Sequence, residues 1–120
     1  MNVNGKARMA ASLWPKDRIQ PAKQARVMSP KAAGLLAQMM GRVVEEGTGT
    51  AGALSGIKVA GKTGTAEVAN GQNQAWFIAF APIDNPKMAI AVTVERTSGQ
   101  GGTVAAPLAK RVLQVLLKKP

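Results

Sequence analysis

The stretch Ile57-Lys58-Val59-Ala60-Gly61-Lys62-Thr63-Gly64-Thr65-Ala66-Glu67-Val68-Ala69-Asn70-Gly71 decides the fold. A short β-prone run, Ile57 to Ala60, leads through Gly61 into Lys62–Thr65, and the segment closes on Asn70-Gly71. That dipeptide favours a tight hairpin turn because both residues tolerate positive φ. Lys62 to Thr65 are therefore predicted on a strand. Alternate strand residues share a face, so Thr63 and Thr65 point together, while Gly64 leaves the backbone between them open to a ligand. A lysine, two hydroxyls and an approachable row of backbone N–H groups suit a carboxylate, through charge-assisted hydrogen bonds and neutral N–H donors to an oxyanion.

Two other patterns overlap this stretch. Gly56 to Thr63 spells G-x-x-x-x-G-K-T, a formal match to the Walker A phosphate loop. Its mechanism requires a strand before the first glycine and a helix beginning at the Lys-Thr, whose N-terminus cradles phosphates. Here the variable positions read as strand, and Gly64, Thr65 and an Asn-Gly turn follow, so the required context is missing. Ser55 to Lys58 spells S-x-x-K, a serine acyltransferase nucleophile pattern. That pair needs a helix to bring residues three apart together. Entering a strand, Ser55 and Lys58 would face opposite ways.

Composition narrows the chemistry. The chain has 120 residues, 46% of them hydrophobic, which suits one small domain with a buried core. It has no cysteine, which excludes disulfides and thiolate metal sites, and no histidine, the commonest metal ligand and general base. No metal site and no cofactor are expected. Acid–base work falls to Lys, Asp or Glu. The net charge of +10 favours anionic surroundings such as nucleic acid, anionic lipid or an acidic polymer. Trp14, Trp76, Phe77 and Phe80 are the only aromatics, too few to make stacking platforms for bases. No apolar run is long enough to span a bilayer, and Met1 to Gly5 does not read as a secretory signal.

In chain order, residues 1–29 read as a basic, weakly ordered N-terminal arm. Seven of the sixteen basic residues lie at or before Lys31, opposed only by Asp17, and Pro15, Pro21 and Pro30 interrupt any period. Residues 30–120 read as the folded part. Ser29-Pro30 supplies an N-cap and a first helical residue. The helix to Glu46 carries Ala32, Leu35, Leu36, Met39, Val43 and Val44 as its apolar stripe, and Gly47 is expected to end it in a left-handed cap. Thr48 to Gly52 is a connector of small residues adjoining the strand. After Asn70-Gly71 come a nearly continuous apolar strand, Ala75–Ala81, a turn at Asp84-Asn85-Pro86, and a strand from Met88 to Glu95. Both faces of the middle strand read as buried. A glycine loop, Ser98 to Gly102, precedes a last helix capped by Thr103 and running to about Lys118, with Leu108, Val112, Leu113, Val115 and Leu116 as its stripe. The fold class is α+β: a three-stranded antiparallel meander with helices packed on it.

Lys62-Thr63-Gly64-Thr65-Ala66-Glu67, then Ala75 to Pro82, then Gly101-Gly102 with Ala105-Ala106-Pro107, and the Val27-Met28-Ser29-Pro30 helix start resemble the C-terminal part of penicillin-binding protein transpeptidase domains. The resemblance covers about residues 27–117. It implies the C-terminal half of a β-lactamase/transpeptidase-like fold, and a D,D-transpeptidase parent that crosslinks peptidoglycan by serine acyl transfer. It further implies that Lys62 lies near the hydroxyl of a Ser-x-Asn motif. Thr63 and Thr65, with the bare backbone of Gly64, would bind the carboxylate of a D-alanyl-D-alanine stem peptide or a β-lactam. The Thr65 N–H would form half of an oxyanion hole. The parent is expected in the cell envelope, outside the cytoplasm and membrane-anchored.

One departure from the family pattern matters. The family's Ser-x-x-Lys nucleophile and Ser-x-Asn motif belong upstream; no Ser-x-Asn occurs here, and Ser55-Lys58 is misplaced. The chain is thus expected to be a fragment, inactive alone, that lacks the N-terminal half of the domain. An apolar edge should be exposed on the third strand, and the isolated chain should self-associate or be poorly folded. The alternative is a small basic α+β module binding nucleic acid or another anionic polymer, marked by steep salt dependence. The family resemblance implies no specific nucleic-acid affinity.

Overall fold

The computed structural model describes residues 6–7 and 25–118. Most of the basic arm expected over residues 1–29 lies outside the described residues. The chain divides into two compact units, Met1–Leu36 and Ala37–Pro120. In the first, strands β1 (Lys6–Ala7) and β2 (Ala25–Arg26) pair antiparallel, with Lys6 opposite Arg26 and Ala7 opposite Ala25. This ladder was not legible in a proline-interrupted sequence, where two-residue strands carry no period.

Helix α1 spans Pro30–Glu45. It starts as its letters dictate: Ser29 Oγ accepts from the Ala32 N–H at 3.2 Å, and the Ser29 carbonyl accepts from the Ala33 N–H at 3.0 Å. Its buried positions are Ala33, Ala37, Gly41 and Val44; of the expected stripe Val44 is inside, but Leu35 and Met39 are more than half exposed, which corrects that expectation. Small residues win because they admit close approach, and a Cβ on Gly41 would stand 3.0 Å from Ile83 Cδ1. The helix also ends differently from expectation. Gly47 is not left-handed, and the chain turns through a bond from the Gly49 N–H to the Val43 carbonyl at 2.9 Å.

The second unit is built on an antiparallel meander ordered β3-β4-β5, with β3 at Ala60–Glu67, β4 at Asn73–Ala81 and β5 at Met88–Thr97. Ile57 stands outside β3, in an isolated bridge with Leu54. Asn70 (φ 65°) and Gly71 (φ 67°) make the β3–β4 turn in the left-handed region, as the dipeptide predicts. Register pairs Lys62 with Ile78, Thr63 with Phe77, Gly64 with Trp76 and Thr65 with Ala75. Thr63 and Thr65 therefore share the sheet face that carries Phe77. On β4, Ala75, Phe77, Ala79 and Ala81 are buried. The opposite face is not, which corrects the expectation of two buried faces: Trp76 is 39% and Ile78 45% exposed, beside exposed Ala89, Ala91 and Thr93 of β5. On its outer edge β5 has no strand partner among the described residues.

A π-helical turn, Gly101–Ala105, runs directly into helix α2, Ala106–Leu116. The helical segment begins three residues earlier than a Thr103 N-cap predicts, with Gln100 as its N-cap. Thr103 is the third residue of a capping box whose N-cap is Gln100, and its hydroxyl accepts from the Gln100 N–H at 2.9 Å. The wide turn precedes Pro107, which has no N–H and whose ring crowds the carbonyl four residues back; loosening the preceding turn relieves that clash. The buried side of α2 is Ala106, Ala109 and Leu113, whereas Leu108, Val112, Val115 and Leu116 are exposed. Of the five residues expected in the stripe, only Leu113 is fully inside.

Phe77 and Leu113 are the largest fully buried side chains of a core otherwise rich in alanine, with Ala79, Ala81, Ala105, Ala106 and Ala109. Three glycines meet the Phe77 ring. A Cβ would lie 2.6 Å from its Cζ at Gly61, 2.7 Å at Gly52, and 3.1 Å from its Cε2 at Gly49. Strand β3 and the loop before it are thereby drawn onto one ring.

Candidate functional site

An open cleft of about 730 Å³ lies along β3, walled by Lys62, Thr63, Gly64 and Thr65 on one side and by residues of two loops on the other. The first loop brings Thr48 and Thr50, the second Gln100, Gly102 and Thr103. Since β3 is an edge strand, this wall includes backbone that no strand covers among the described residues. Lys62 is the sole charged residue among the described residues lining the cleft, and no carboxylate lines it. Its Nζ donates to the Thr63 carbonyl at 2.5 Å, curling along the strand from the face opposite the threonines.

The two threonine hydroxyls are held by different partners. Thr65 Oγ1 accepts from the Gly101 N–H at 3.2 Å, and Thr63 Oγ1 lies 2.6 Å from Thr48 Oγ1. Gly101 reaches Thr65 only because it has no side chain: a Cβ there would sit 2.2 Å from the Trp76 carbonyl oxygen and 2.6 Å from that of Gly64. The glycine loop thus rests directly on the β3–β4 backbone. Helical structure runs from Gly101 to Leu116, so its positive N-terminal end faces the same cleft.

The register of the loop is set at the far end of β5. Two residues, Glu95 and Arg96, intervene between Val94 and Thr97 where β4 has one, Gln74, between Asn73 and Ala75, a bulge with Arg96 in the left-handed region at φ 50°. Beyond it, Asn73 Nδ2 donates to the Gly99 carbonyl at 3.3 Å and the Gly99 N–H donates to Thr97 Oγ1 at 3.0 Å. These bonds pin the loop just before Gln100.

The four residues singled out in the sequence therefore line one cleft. Ser55 and Lys58 do not join them. Both are exposed and outside any helix, and Ser55 borders a separate groove with Leu54, Ile57, Arg111 and Val115. The Walker-type reading fails as well, because Lys62 and Thr63 lie inside β3 where a helix N-terminus is needed. Sequence reasoning missed Gln100 and Thr103 as cleft residues, and it placed the Thr48 connector beside the strand without assigning a contact. The loops that carry them hold small or polar residues without period, so only the fold brings them to β3.

Residues 5–114 match the family model described as the penicillin binding protein transpeptidase domain. The peptidoglycan D,D-transpeptidase PbpA of Mycolicibacterium smegmatis is 39% identical over 107 residues, 82% of this chain and 22% of the relative. The transpeptidase domain of the FtsI4 D,D-transpeptidase from Legionella pneumophila superposes with a TM-score of 0.72 at 29% identity, covering 78% of this chain and 38% of that one. Penicillin-binding protein A from M. tuberculosis, solved as a ceftriaxone acyl-enzyme complex, gives a TM-score of 0.72 at 38% identity over 82% of this chain and 24% of that one. None of these similarities supports the basic binding-module alternative. The chain spans about a fifth of the curated relatives it matches, and with its sheet, its glycine loop and its final helix it belongs to the penicillin-binding protein transpeptidase domain family.

Proposed function

We propose that this chain forms the carboxylate-binding wall of a peptidoglycan D,D-transpeptidase. Lys62, Thr63, Gly64 and Thr65 hold the C-terminal carboxylate of a D-alanyl-D-alanine stem peptide, or the equivalent anionic group of a β-lactam. The observation that carries this reading is the bond from the Gly101 N–H to Thr65 Oγ1. An N–H can only donate, so the bond uses a lone pair of Thr65 and leaves its hydroxyl proton for an anion in the cleft. Lys62 adds a positive charge, the helix N-terminus adds a favourable dipole, and no carboxylate among the lining residues opposes them. Backbone N–H groups of the edge strand can stabilise the oxyanion that develops when the acyl carbonyl is attacked.

The attacking serine and its lysine come, on this reading, from the part of the domain absent from this chain, as does the Ser-x-Asn motif. The nucleophile's proton and the covalent ester therefore belong to the whole domain, and the chain alone binds without turnover. Its partners are the stem peptide, β-lactams and that missing half-domain. The parent works in the cell envelope, on the outer side of the membrane to which it is anchored. Reading the DNA upstream of the Met1 codon tests the proposal: an open frame encoding Ser-x-x-Lys and then Ser-x-Asn supports it, and a stop codon with a ribosome-binding site overturns it. Intact-mass measurement after excess benzylpenicillin tests the division of labour. No adduct is expected, and a stable adduct on Ser55 would refute it.

A further inference from the structure

We infer that Thr48 is a positioning residue of the cleft, donating its hydroxyl proton to Thr63 Oγ1 so that the Thr63 hydroxyl is turned toward a bound carboxylate. The inference rests on the carboxylate-binding role proposed for Thr63 and Thr65. A threonine hydroxyl has one proton to donate and two lone pairs to accept with. For Thr65 the assignment is fixed, because its partner is a backbone N–H. For Thr63 the partner is another hydroxyl, Thr48 Oγ1 at 2.6 Å, and either oxygen can donate. Only one direction leaves the Thr63 proton for a ligand. Thr48 then does for Thr63 what the Gly101 N–H does for Thr65, and both hydroxyls of the β3 wall are set by scaffold donors from opposite loops.

The placement of Thr48 is built in. A Cβ on Gly47 would meet Val43 Cα at 2.9 Å, and one on Gly49 would meet both Phe77 Cε2 and Val43 Cγ1 at 3.1 Å, so the flanking glycines let this turn close against helix α1 and the core ring. From the other side, a Cβ on Gly102 would lie 2.1 Å from the Thr48 carbonyl oxygen. The Thr48 carbonyl stands against Gly102 of the glycine loop, its neighbours Gly47 and Gly49 pack on Val43 and Phe77, and its side chain reaches Thr63 of β3. A hydroxyl held this way loses little further entropy when a ligand binds, which is what preorganised donation requires.

The test follows amide shifts of the ¹⁵N-labelled chain during titration with acetyl-D-alanyl-D-alanine, with its C-terminal amide as the uncharged control. Saturable shifts at Lys62 to Thr65 are expected for the acid. Thr48→Val should weaken acid binding roughly tenfold, the order of one hydrogen bond to a charged group. Thr48→Ser should restore it, and the weak binding of the amide should change little. In a Thr63→Val background, Thr48→Val should have no further effect. Should the valine variant lose its dispersed spectrum, Thr48→Ala and its serine counterpart provide the same comparison. Unchanged or tighter acid binding in a folded Thr48 variant would overturn the inference and leave the carboxylate reading standing, since it would mean that Thr63 is the donor. Equal weakening of acid and amide would also overturn it, by making Thr48 a purely structural contact. Absence of saturable shifts in the wild-type chain would sink both.

Discussion

Gly101→Ala should be among the most damaging single-methyl additions in the chain. The added carbon would lie 2.2 Å from the Trp76 carbonyl oxygen, 2.6 Å from that of Gly64 and 3.0 Å from the Gly64 nitrogen. All three are backbone atoms of paired strands, so no side chain can rotate aside. The loop must instead retreat by roughly 1 Å to approach ordinary van der Waals separation. That retreat stretches the Gly101–Thr65 bond from 3.2 Å to a length at which it no longer holds. Overpacking of this kind costs about 1–3 kcal/mol, with about 1 kcal/mol more for the lost bond. The reduced chain entropy of alanine offsets up to about 1 kcal/mol. A net loss of about 1–3 kcal/mol corresponds to roughly 5–20 °C in Tm for a unit of this size. Gly34 in helix α1 is the control, because a Cβ there meets nothing within 4 Å. Gly34→Ala should stabilise by about 0.5–1 kcal/mol. Thermal melts at low micromolar concentration, followed by circular dichroism, compare the pair. A Gly101→Ala chain melting within about 2 °C of wild type would refute the close-contact reasoning.

Other outcomes follow from the same structure. Ser29→Ala removes the acceptor of the Ala32 N–H and should cost about 1 kcal/mol in urea unfolding, whereas Ser29→Asp should retain most of it; equal losses for both would remove the capping explanation. Phe77→Ala empties the centre of the core and should cost about 3–5 kcal/mol, read as loss of cooperative unfolding; a cooperative melt near the wild-type temperature would contradict the packing described. The isolated chain should self-associate between micromolar and millimolar concentration, through the β5 edge, which has no strand partner among the described residues, and the exposed Trp76–Ile78 face. Sedimentation velocity showing one monomeric species across that range would count against it.

Much of the fold was legible because its signals are local. Ser29-Pro30 starts a helix through bonds three and four residues away, and Asn70-Gly71 turns the chain through its own backbone. The apolar run of β4, the alternation of β5 and the short turns between the strands specified the antiparallel meander. The helix stripes were harder to read. Both helices carry two sets of apolar positions, small and large, and period alone cannot say which faces inward. In α2 the alanines are buried on the sheet while Leu108 and Val112 are exposed, and in α1 Ala33, Ala37 and Gly41 are buried while Leu35 and Met39 are exposed. At the cleft, Lys62 to Thr65 were legible because one strand carries them. Thr48 was not, since the pairing of its hydroxyl with Thr63 spans fifteen residues and depends on glycine packing around a distant ring.

That ring has an evolutionary consequence. With Gly49, Gly52 and Gly61 all in contact distance of Phe77, the volume at these four positions is shared. Enlarging one glycine alone is blocked, and shrinking the phenylalanine alone leaves a hole, yet the two changes together can cancel. Phe77→Leu should therefore act as a permissive step that makes Gly61→Ala tolerable. Lineages that drift at this site should exchange ring for methyl in pairs, and the order in which the two substitutions arise would be set by which intermediate still folds.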